Sequence, residues 1–442
     1  MQNLFGTAGI RAKAGKYPLD QVTLVKIGQV LASFFINKYG KNSKILICCD
    51  TRKSAYLIKA LIKAGLLSNQ VLIYDAQVLS TPAAIYLVHE LKSYDAGIII
   101  TASHNPFQDN GIKLIDKITG NLTNLAELEI SSLILNQEIP DTSPDFLEAG
   151  QEFHVRSCID TYSQKIIAQF SKQDFKNLHV IIDCANGATA VIAPAIFTKL
   201  GIRVTAINTN PNGTNINLNS GATHPKILRE TVLKYQAQIG FAFDGDGDRI
   251  TVVTQDGQIK DGDDLIAFLS TNQKYQTQAG LVGTLVSNLG LELWLNNLNK
   301  NLIRTDVGEK NLLFGQQASN YLIGGEPSGH IILKDFAKHS DGVFVALSIL
   351  ETCLINNNWL LTTFTRTPQV IHNLPVKIKQ DLNAPELAST IHKYENLIKP
   401  GRLVVRYSGT ENLLRLLAEG ENPEQLNQLI TNMTKELDIL LN

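Results

Sequence analysis

Short, wholly apolar runs alternate with helical periodicity along most of this chain. Lys44-Ile-Leu-Ile-Cys-Cys-Asp50, Val71-Leu-Ile-Tyr74, Gly97-Ile-Ile-Ile-Thr101, Val180-Ile-Ile-Asp183 and Gly240-Phe-Ala-Phe243 each predict a buried strand. Between 24 and 35 the apolar side chains fall at Leu24, Val25, Ile27, Val30, Leu31, Phe34 and Phe35, which is one face of a helix. Strands apolar on both faces, alternating with helices, predict α/β layers around buried, parallel or mixed sheets. The C-terminal stretch has another character. Asn422-Pro-Glu-Gln425 offers a cap followed by proline at the first helical position. Leu426, Leu429, Ile430, Met433, Leu437 and Leu440 then form one stripe, which predicts a helix packed on a small sheet.

Length and composition narrow this picture. For 442 residues, a prior of about 150 per domain gives roughly three domains. Breaks are expected near the polar Gln137-Glu-Ile-Pro-Asp-Thr-Ser-Pro-Asp145, near 250, and around Thr367-Pro368. A hydrophobic fraction of 44% supports full cores, and 18% charge with a net charge of −1 argues against nucleic acid or an anionic membrane as the main partner. A small charged substrate needs only a local basic pocket and stays open. Cys48, Cys49, Cys158, Cys184 and Cys353 are odd in number and form no CxxC pair, which predicts buried thiols rather than disulfides or zinc. No signal-like segment and no apolar run of about 18 residues is present, so a soluble cytoplasmic protein is expected.

Two loops after predicted strands carry the chemistry, where α/β folds expose ligand-binding segments. Thr101-Ala-Ser-His-Asn-Pro106 sets the Ser103 hydroxyl beside His104 on a turn. Alone, it is equally an ordinary Ser/Asn/Pro turn. Asp244, Asp246 and Asp248 alternate with glycine, so in extended backbone they project to one side. Like charges this close repel unless a cation offsets them, and hard oxygen ligands suit Mg²⁺. An EF-hand needs Gly at loop position six and Glu at position twelve; Arg249 and Gln255 stand there instead. A hydroxyl that carries phosphate and a carboxylate trio that holds a divalent ion together suggest phosphoryl transfer through a phosphoserine, with the serine phosphate as a further metal ligand.

Other segments are weaker alone. Gly324-Gly-Glu-Pro-Ser-Gly-His330 groups a carboxylate, a hydroxyl and an imidazole on a loop, which suits sugar hydroxyls but is also an ordinary Gly-Pro turn. Arg406-Tyr-Ser-Gly-Thr-Glu-Asn412 offers an Arg fork, with Ser408, Thr410 and the amides around Gly409 as an anion nest. Arg415 adds charge or is simply solvated. Lys113 follows the serine loop; in a closed, cationic site a lowered pKa would let it transfer protons.

Taken in order, these segments resemble the α-D-phosphohexomutase family across essentially the whole chain. The phosphoserine loop is 101–106, the metal loop 244–248, the sugar loop 325–330 and the phosphate loop 406–412, and Gly6-Thr-Ala-Gly-Ile-Arg11 also fits. The resemblance implies four domains around a central cleft: three related α/β domains with mixed sheets (1–150, 151–250, 251–366) and a smaller α+β domain (367–442). Ile182-Asp-Cys-Ala-Asn-Gly-Ala-Thr189, Pro211-Asn-Gly-Thr-Asn-Ile-Asn217 and Gly283-Thr-Leu-Val-Ser-Asn-Leu-Gly-Leu-Glu-Leu293 are similar to the family's glucosamine-phosphate branch.

The activity this implies is interconversion of glucosamine 6-phosphate and glucosamine 1-phosphate through a 1,6-bisphosphate, which also serves as activator. Ser103 would carry the phosphoryl group, and Asp244, Asp246, Asp248 and the phosphoserine would hold Mg²⁺. Arg11, His104, Lys113 and Arg249 would line the transfer site, with Lys113 as general base. Glu326, Ser328 and His330 would hold the sugar; Arg406, Ser408, Gly409, Thr410 and Arg415 the distal phosphate. A homodimer is also expected. The sequence departs from the family pattern at Ala8 (usually Asp), Ala12 (commonly Gly) and Pro327 (usually Gln or Asn). Pro327 keeps phosphomannomutase and phosphoglucomutase activity open. A non-catalytic sugar-phosphate binder and a phosphoserine phosphatase are the rivals from other classes.

Overall fold

The computed structural model describes residues 3–6, 9–136, 148–409 and 412–442. The expected connection over 137–145, Ala8 and Thr410 lie outside the described residues.

Four sheets follow one another along the chain. The first runs Ile10–Lys13, Asp109–Asp116, Ala96–Ile100, Ser43–Cys49, Val71–Val78, Gln151–His154, with Gly120–Asn121 beside Asp109–Asp116. Its centre is parallel and one edge antiparallel. The second runs Ile259–Lys260, Ile250–Thr254, Ile239–Phe243, His179–Asp183, Arg203–Ile207 and is also mixed. The third runs Asn301–Thr305, Gly280–Thr284, Ile323–Gly325, Ile331–Leu333. The last, Gln369–Pro375, Leu413–Glu419, Arg402–Tyr407, is wholly antiparallel.

The expected divisions at 150 and 250 fall inside sheets. Gln151–His154 returns to pair with Val71–Val78, and Ile250–Thr254 forms a hairpin with Ile239–Phe243. Backbone pairing, rather than the polarity of the intervening loop, decides where these layers end.

The apolar runs become central strands buried at every residue, as in Ala96–Ile100, His179–Asp183 and Ile239–Phe243. The predicted helix at 24–35 lies inside Gln21–Tyr39, whose first turn is capped by Asp20 accepting from the Thr23 amide. One core runs continuously through the first three layers, from Leu46 and Ile99 through Val180 and Phe241 to Leu265 and Leu347. The C-terminal layer has a core of its own, in which Leu426, Ile430, Met433 and Leu437 of the helix Pro423–Leu441 cover Leu374, Leu414 and Leu416. All five cysteines are buried and free. Among the described residues, no helix is long and apolar enough to cross a membrane.

Candidate active site

The strand Ala96–Ile100 delivers the turn at Ser103, which is 1% exposed and left-handed, with φ 53°. Non-glycine residues seldom adopt that conformation, and functional sites are where it tends to persist. The Ser103 amide donates to Thr101 Oγ1 (2.9 Å), and its hydroxyl donates to Asp244 Oδ2 (2.7 Å). Asn217, from the second domain, donates to the carbonyls of Ser103 (2.8 Å) and Asn105 (3.1 Å). Gly245 permits this approach, since a Cβ there would lie 2.8 Å from the Ser103 carbonyl oxygen.

The acidic loop follows the buried strand Ile239–Phe243. Asp244 Oδ1 accepts from the amides of Gly247 (3.1 Å) and Arg249 (3.2 Å). Asp246 Oδ2 accepts from Thr81 Oγ1 and from Lys113 Nζ, both at 2.7 Å, and Lys113 reaches Asp248 Oδ2 at 2.7 Å as well. One oxygen from each of the three carboxylates lies within 4.8 Å of the others. Asp246 Oδ1 and Asp248 Oδ1 are buried and have no hydrogen-bond partner. Hard, convergent and partly unsatisfied oxygens fit a divalent cation, so this trio could hold one. The other acidic group, Asp75, Glu152 and His154, does not fit, because Lys59 and Lys63 already neutralise its carboxylates.

Electrostatics divides the trio. Burial and the neighbouring Asp248 and Asp246 charges push Asp244 well above the ordinary carboxyl range. Burial pushes Asp248 the same way, but Lys113, His330 and Arg249 outweigh it and hold Asp248 low. Lys113 corrects the expectation of a lowered pKa. Burial opposes its charge, yet Asp246 and Asp248 hold it above the usual lysine value. Here the ammonium balances the charge of Asp246 and Asp248. His104 is pushed down to about 3, first by burial and then by Arg249 and Arg11, so its ring is neutral 3.4 Å from Ser103 Oγ.

The sugar loop joins two halves of the site. His330 Nε2 accepts from Arg249 Nε at 3.0 Å, which leaves the ring proton on Nδ1, 3.7 Å from Asp248 Oδ1. Arg11 is half-buried near Asp246 and Asp248, and its buried Nε has no hydrogen-bond partner. Glu326 accepts from Ser328 Oγ (2.7 Å) and from the Gly308 amide (3.2 Å). Beyond it, a cavity of about 300 Å³ lies against the last domain, lined by Glu326, Pro327, Ser328, Arg406 and Arg415 together with Val286 and Ile371. Arg406 and Arg415 face each other across paired strands, and Arg415 Nη2 reaches Ser408 Oγ at 3.4 Å. Gly409 is exposed at the tip of that turn.

Thus Arg11, Ser103, His104, Lys113, Arg249 and His330 gather around the acidic trio, while Glu326, Ser328, Arg406 and Arg415 share the cavity. Sequence reasoning missed Thr81 and Glu309. Glu309 is half-buried and accepts from the Ser340 amide at 2.6 Å; desolvation raises its pKa and His330 partly offsets this. Neither residue belongs to a motif, and only the tertiary fold brings them in.

Family models for phosphoglucomutase/phosphomannomutase match the chain in order: alpha/beta/alpha domain I over residues 2–140, domain II over 160–257, domain III over 261–367, and the C-terminal domain over 377–436. The chain belongs to this family, the α-D-phosphohexomutases. It is 36% identical to a phosphoglucosamine mutase of Geotalea uraniireducens, covering 99% of this chain and 97% of that protein. It is 37% identical to a phosphoglucosamine mutase of Aliarcobacter butzleri, covering 97% and 98%. Among solved structures it shares its fold with a phosphoglucomutase/phosphomannomutase family protein of Burkholderia thailandensis (TM-score 0.78, 22% identity, 99% and 97% covered). The N-acetylphosphoglucosamine mutase of Aspergillus fumigatus, solved with GlcNAc-6P and magnesium, has the same architecture (TM-score 0.69, 17% identity, 100% and 96% covered).

Proposed function

We propose that this chain interconverts glucosamine 6-phosphate and glucosamine 1-phosphate, with Ser103 as the phosphoryl carrier. The observation that carries the reading is the Ser103 hydroxyl held 2.7 Å from Asp244, at the edge of a carboxylate trio with unsatisfied inward oxygens. Near-full-length identity to phosphoglucosamine mutases supports the choice of sugar.

In the first half-reaction the bond between phosphorus and Ser103 Oγ breaks, a bond to the free sugar hydroxyl forms, and the proton that hydroxyl loses is balanced by the one Ser103 Oγ takes up as it becomes a free hydroxyl again. The 1,6-bisphosphate then turns over in the cleft and returns its other phosphoryl group to Ser103. Added 1,6-bisphosphate primes Ser103 by the same return step. Asp244, Asp246, Asp248 and the serine phosphate would hold Mg²⁺, which neutralises charge on the transferring group. Arg11 and Arg249 add positive charge beside the serine, and Lys113 balances the carboxylates. Glu326 and Ser328 orient sugar hydroxyls and His330 meets the reacting end. Arg406, Arg415, Ser408, Gly409 and Thr410 grip the far phosphate, so the intermediate keeps one anchored end while it reorients.

Pro327 favours a second reading. It lines the cavity beside Glu326 and presents no polar side chain to the sugar. Phosphomannomutase or phosphoglucomutase activity follows if the amino group needs a contact at that place. Side-by-side turnover of the glucosamine, mannose and glucose 6-phosphates, with Mg²⁺ and a bisphosphate primer, separates the two. Glucosamine phosphate should lead by at least about tenfold, with almost no free phosphate released. Faster turnover of mannose or glucose phosphate sinks the assignment, and stoichiometric phosphate release indicates a phosphatase.

A further inference from the structure

We infer that Arg52 is a positioning residue for Ser103: its guanidinium sets the turn from which the phosphoryl group is passed. The inference rests on the phosphoserine chemistry proposed above. Arg52 stands just beyond the strand Ser43–Cys49, and its side chain is 0% exposed. A guanidinium has five N–H donors, and here each one is spoken for. Nε donates to Asp50 Oδ2 at 2.9 Å. Nη2 donates to the carbonyls of Ser103 and Asn105, both at 2.8 Å. Nη1 donates to the carbonyl of Asp109 at 3.0 Å and to that of Pro106. Every donor not used on Asp50 therefore goes to backbone carbonyls of the serine loop or of Asp109 just beyond it.

Asp50 closes the circuit. It accepts from the Arg52 amide (3.0 Å) and from Thr101 Oγ1 (2.7 Å), and Thr101 Oγ1 in turn accepts from the Ser103 amide (2.9 Å). The pair thus grips both sides of Ser103: its carbonyl directly, its amide through Thr101. Those two contacts, with the Asn217 amide that shares the Ser103 carbonyl, brace the backbone of a residue held at φ 53°. An L side chain left alone prefers other regions, and relaxing toward them would swing the hydroxyl off its 2.7 Å contact with Asp244. With the loop carbonyls drawn inward to Arg52, the Ser103 side chain is turned toward the acidic trio. Arg52 is not among the residues lining the sugar cavity. It acts on the position of the reacting oxygen and not on substrate affinity.

Lysine tests this directly, because one ammonium keeps the charge but cannot span a fork of carbonyls. Phosphorylated Arg52→Lys and wild type are compared with glucosamine 6-phosphate and Mg²⁺. The expected result is kcat lowered by about 100-fold and KM within about threefold. The ³¹P resonance of phospho-Ser103 should shift, with circular dichroism unchanged. A folded Arg52→Lys with wild-type kcat and resonance overturns the inference, and so does a rise in KM alone. If Arg52→Lys does not fold, Asp50→Asn carries the same comparison, since it keeps the shape and removes the charge that anchors Arg52; wild-type kcat in that folded variant is equally fatal. Absent turnover by the wild type sinks the mutase reading instead, and the ³¹P comparison still decides the role of Arg52.

Discussion

The first three layers and the last domain solve the same problem differently. In the first three, central strands are buried at every position, helices cover them, and one core runs through all the layers. In the last domain one face of the sheet carries the core, with Leu414, Leu416 and Ala418 alternating with half-buried Leu413 and Arg415 and with buried Leu417 on the other face. That other face turns Arg406, Arg415 and Ile371 into the cleft. The joint between the two regions is polar. Arg402 donates to the carbonyls of Leu285 and Ser287, Glu419 accepts from the Leu289 amide, and Asn288 exchanges bonds with Thr367. Polar joints between separate cores permit relative motion. On the proposed chemistry, the reacting groups belong to the region with the continuous core, taken as rigid, and the cations for the far phosphate to the separately cored domain, taken as hinged. That division suits an intermediate that must be released at one end without being lost.

If the division is right, damage in the rigid region strikes chemistry, and damage in the hinged region strikes binding. The largest effect belongs to Ser103→Ala, which removes one small hydroxyl from a buried turn. Turnover should fall by roughly 10⁴-fold or more while circular dichroism and melting stay as in wild type; near-normal turnover contradicts Ser103 as carrier.

Asp248→Asn should cost about 10³-fold in kcat, because it weakens the cation site and the partner of Lys113 together. Chelation should silence the wild type as completely, and added Mg²⁺ should restore the wild type but not the variant. Full activity after exhaustive chelation removes the metal from the scheme. Arg415→Ala, in the hinged region, should raise KM by about 10- to 100-fold and lower kcat far less. A fall in kcat at unchanged KM would erase the proposed division between the regions.

Legibility in the sequence follows the same line. The apolar runs at 44–50, 97–101, 180–183 and 240–243 became strands with ends moved by a residue or so, because burial on both faces leaves them no other period. Local motifs pointed to Ser103 and the aspartates as candidates through their spacing, and the structure brings them together. Arg52 was not legible. It reads as an ordinary charged residue after a strand, and its meaning lies in contacts with carbonyls more than fifty positions away. Lys113 was legible as a site residue, but the sign of its pKa shift was not, because that depends on which carboxylates surround it. Thr81 and Asn217 entered the site through packing between domains, and Glu309 through a contact with Ser340 thirty-one positions on, for which one sequence carries no periodic signal.

The smallest effect on turnover is expected at buried Asp341, whose side chain bonds to Tyr162 and to its own helix rather than to the acidic trio. Its side chain caps the helix Gly342–Asn356 by accepting from the Phe344 amide (3.0 Å), and it accepts from Tyr162 Oη at 2.7 Å. Burial pushes its pKa up to about 6 from an ordinary 3.8, and those hydrogen bonds only partly oppose the shift. The folded protein therefore keeps this proton over a pH range in which the unfolded chain has released it. Stability from the group is complete below about pH 4, falls as pH rises toward 6, and is flat above. Asparagine also caps helices and never ionises. Asp341→Asn should leave kcat unchanged at pH 7. Its denaturation midpoint relative to wild type should rise from pH 4 to pH 7, since only the wild type is burdened with a buried charge. A pH-independent difference between the two proteins would show that Asp341 is ionised throughout, with Tyr162 and the helix amides sufficient to hold the charge.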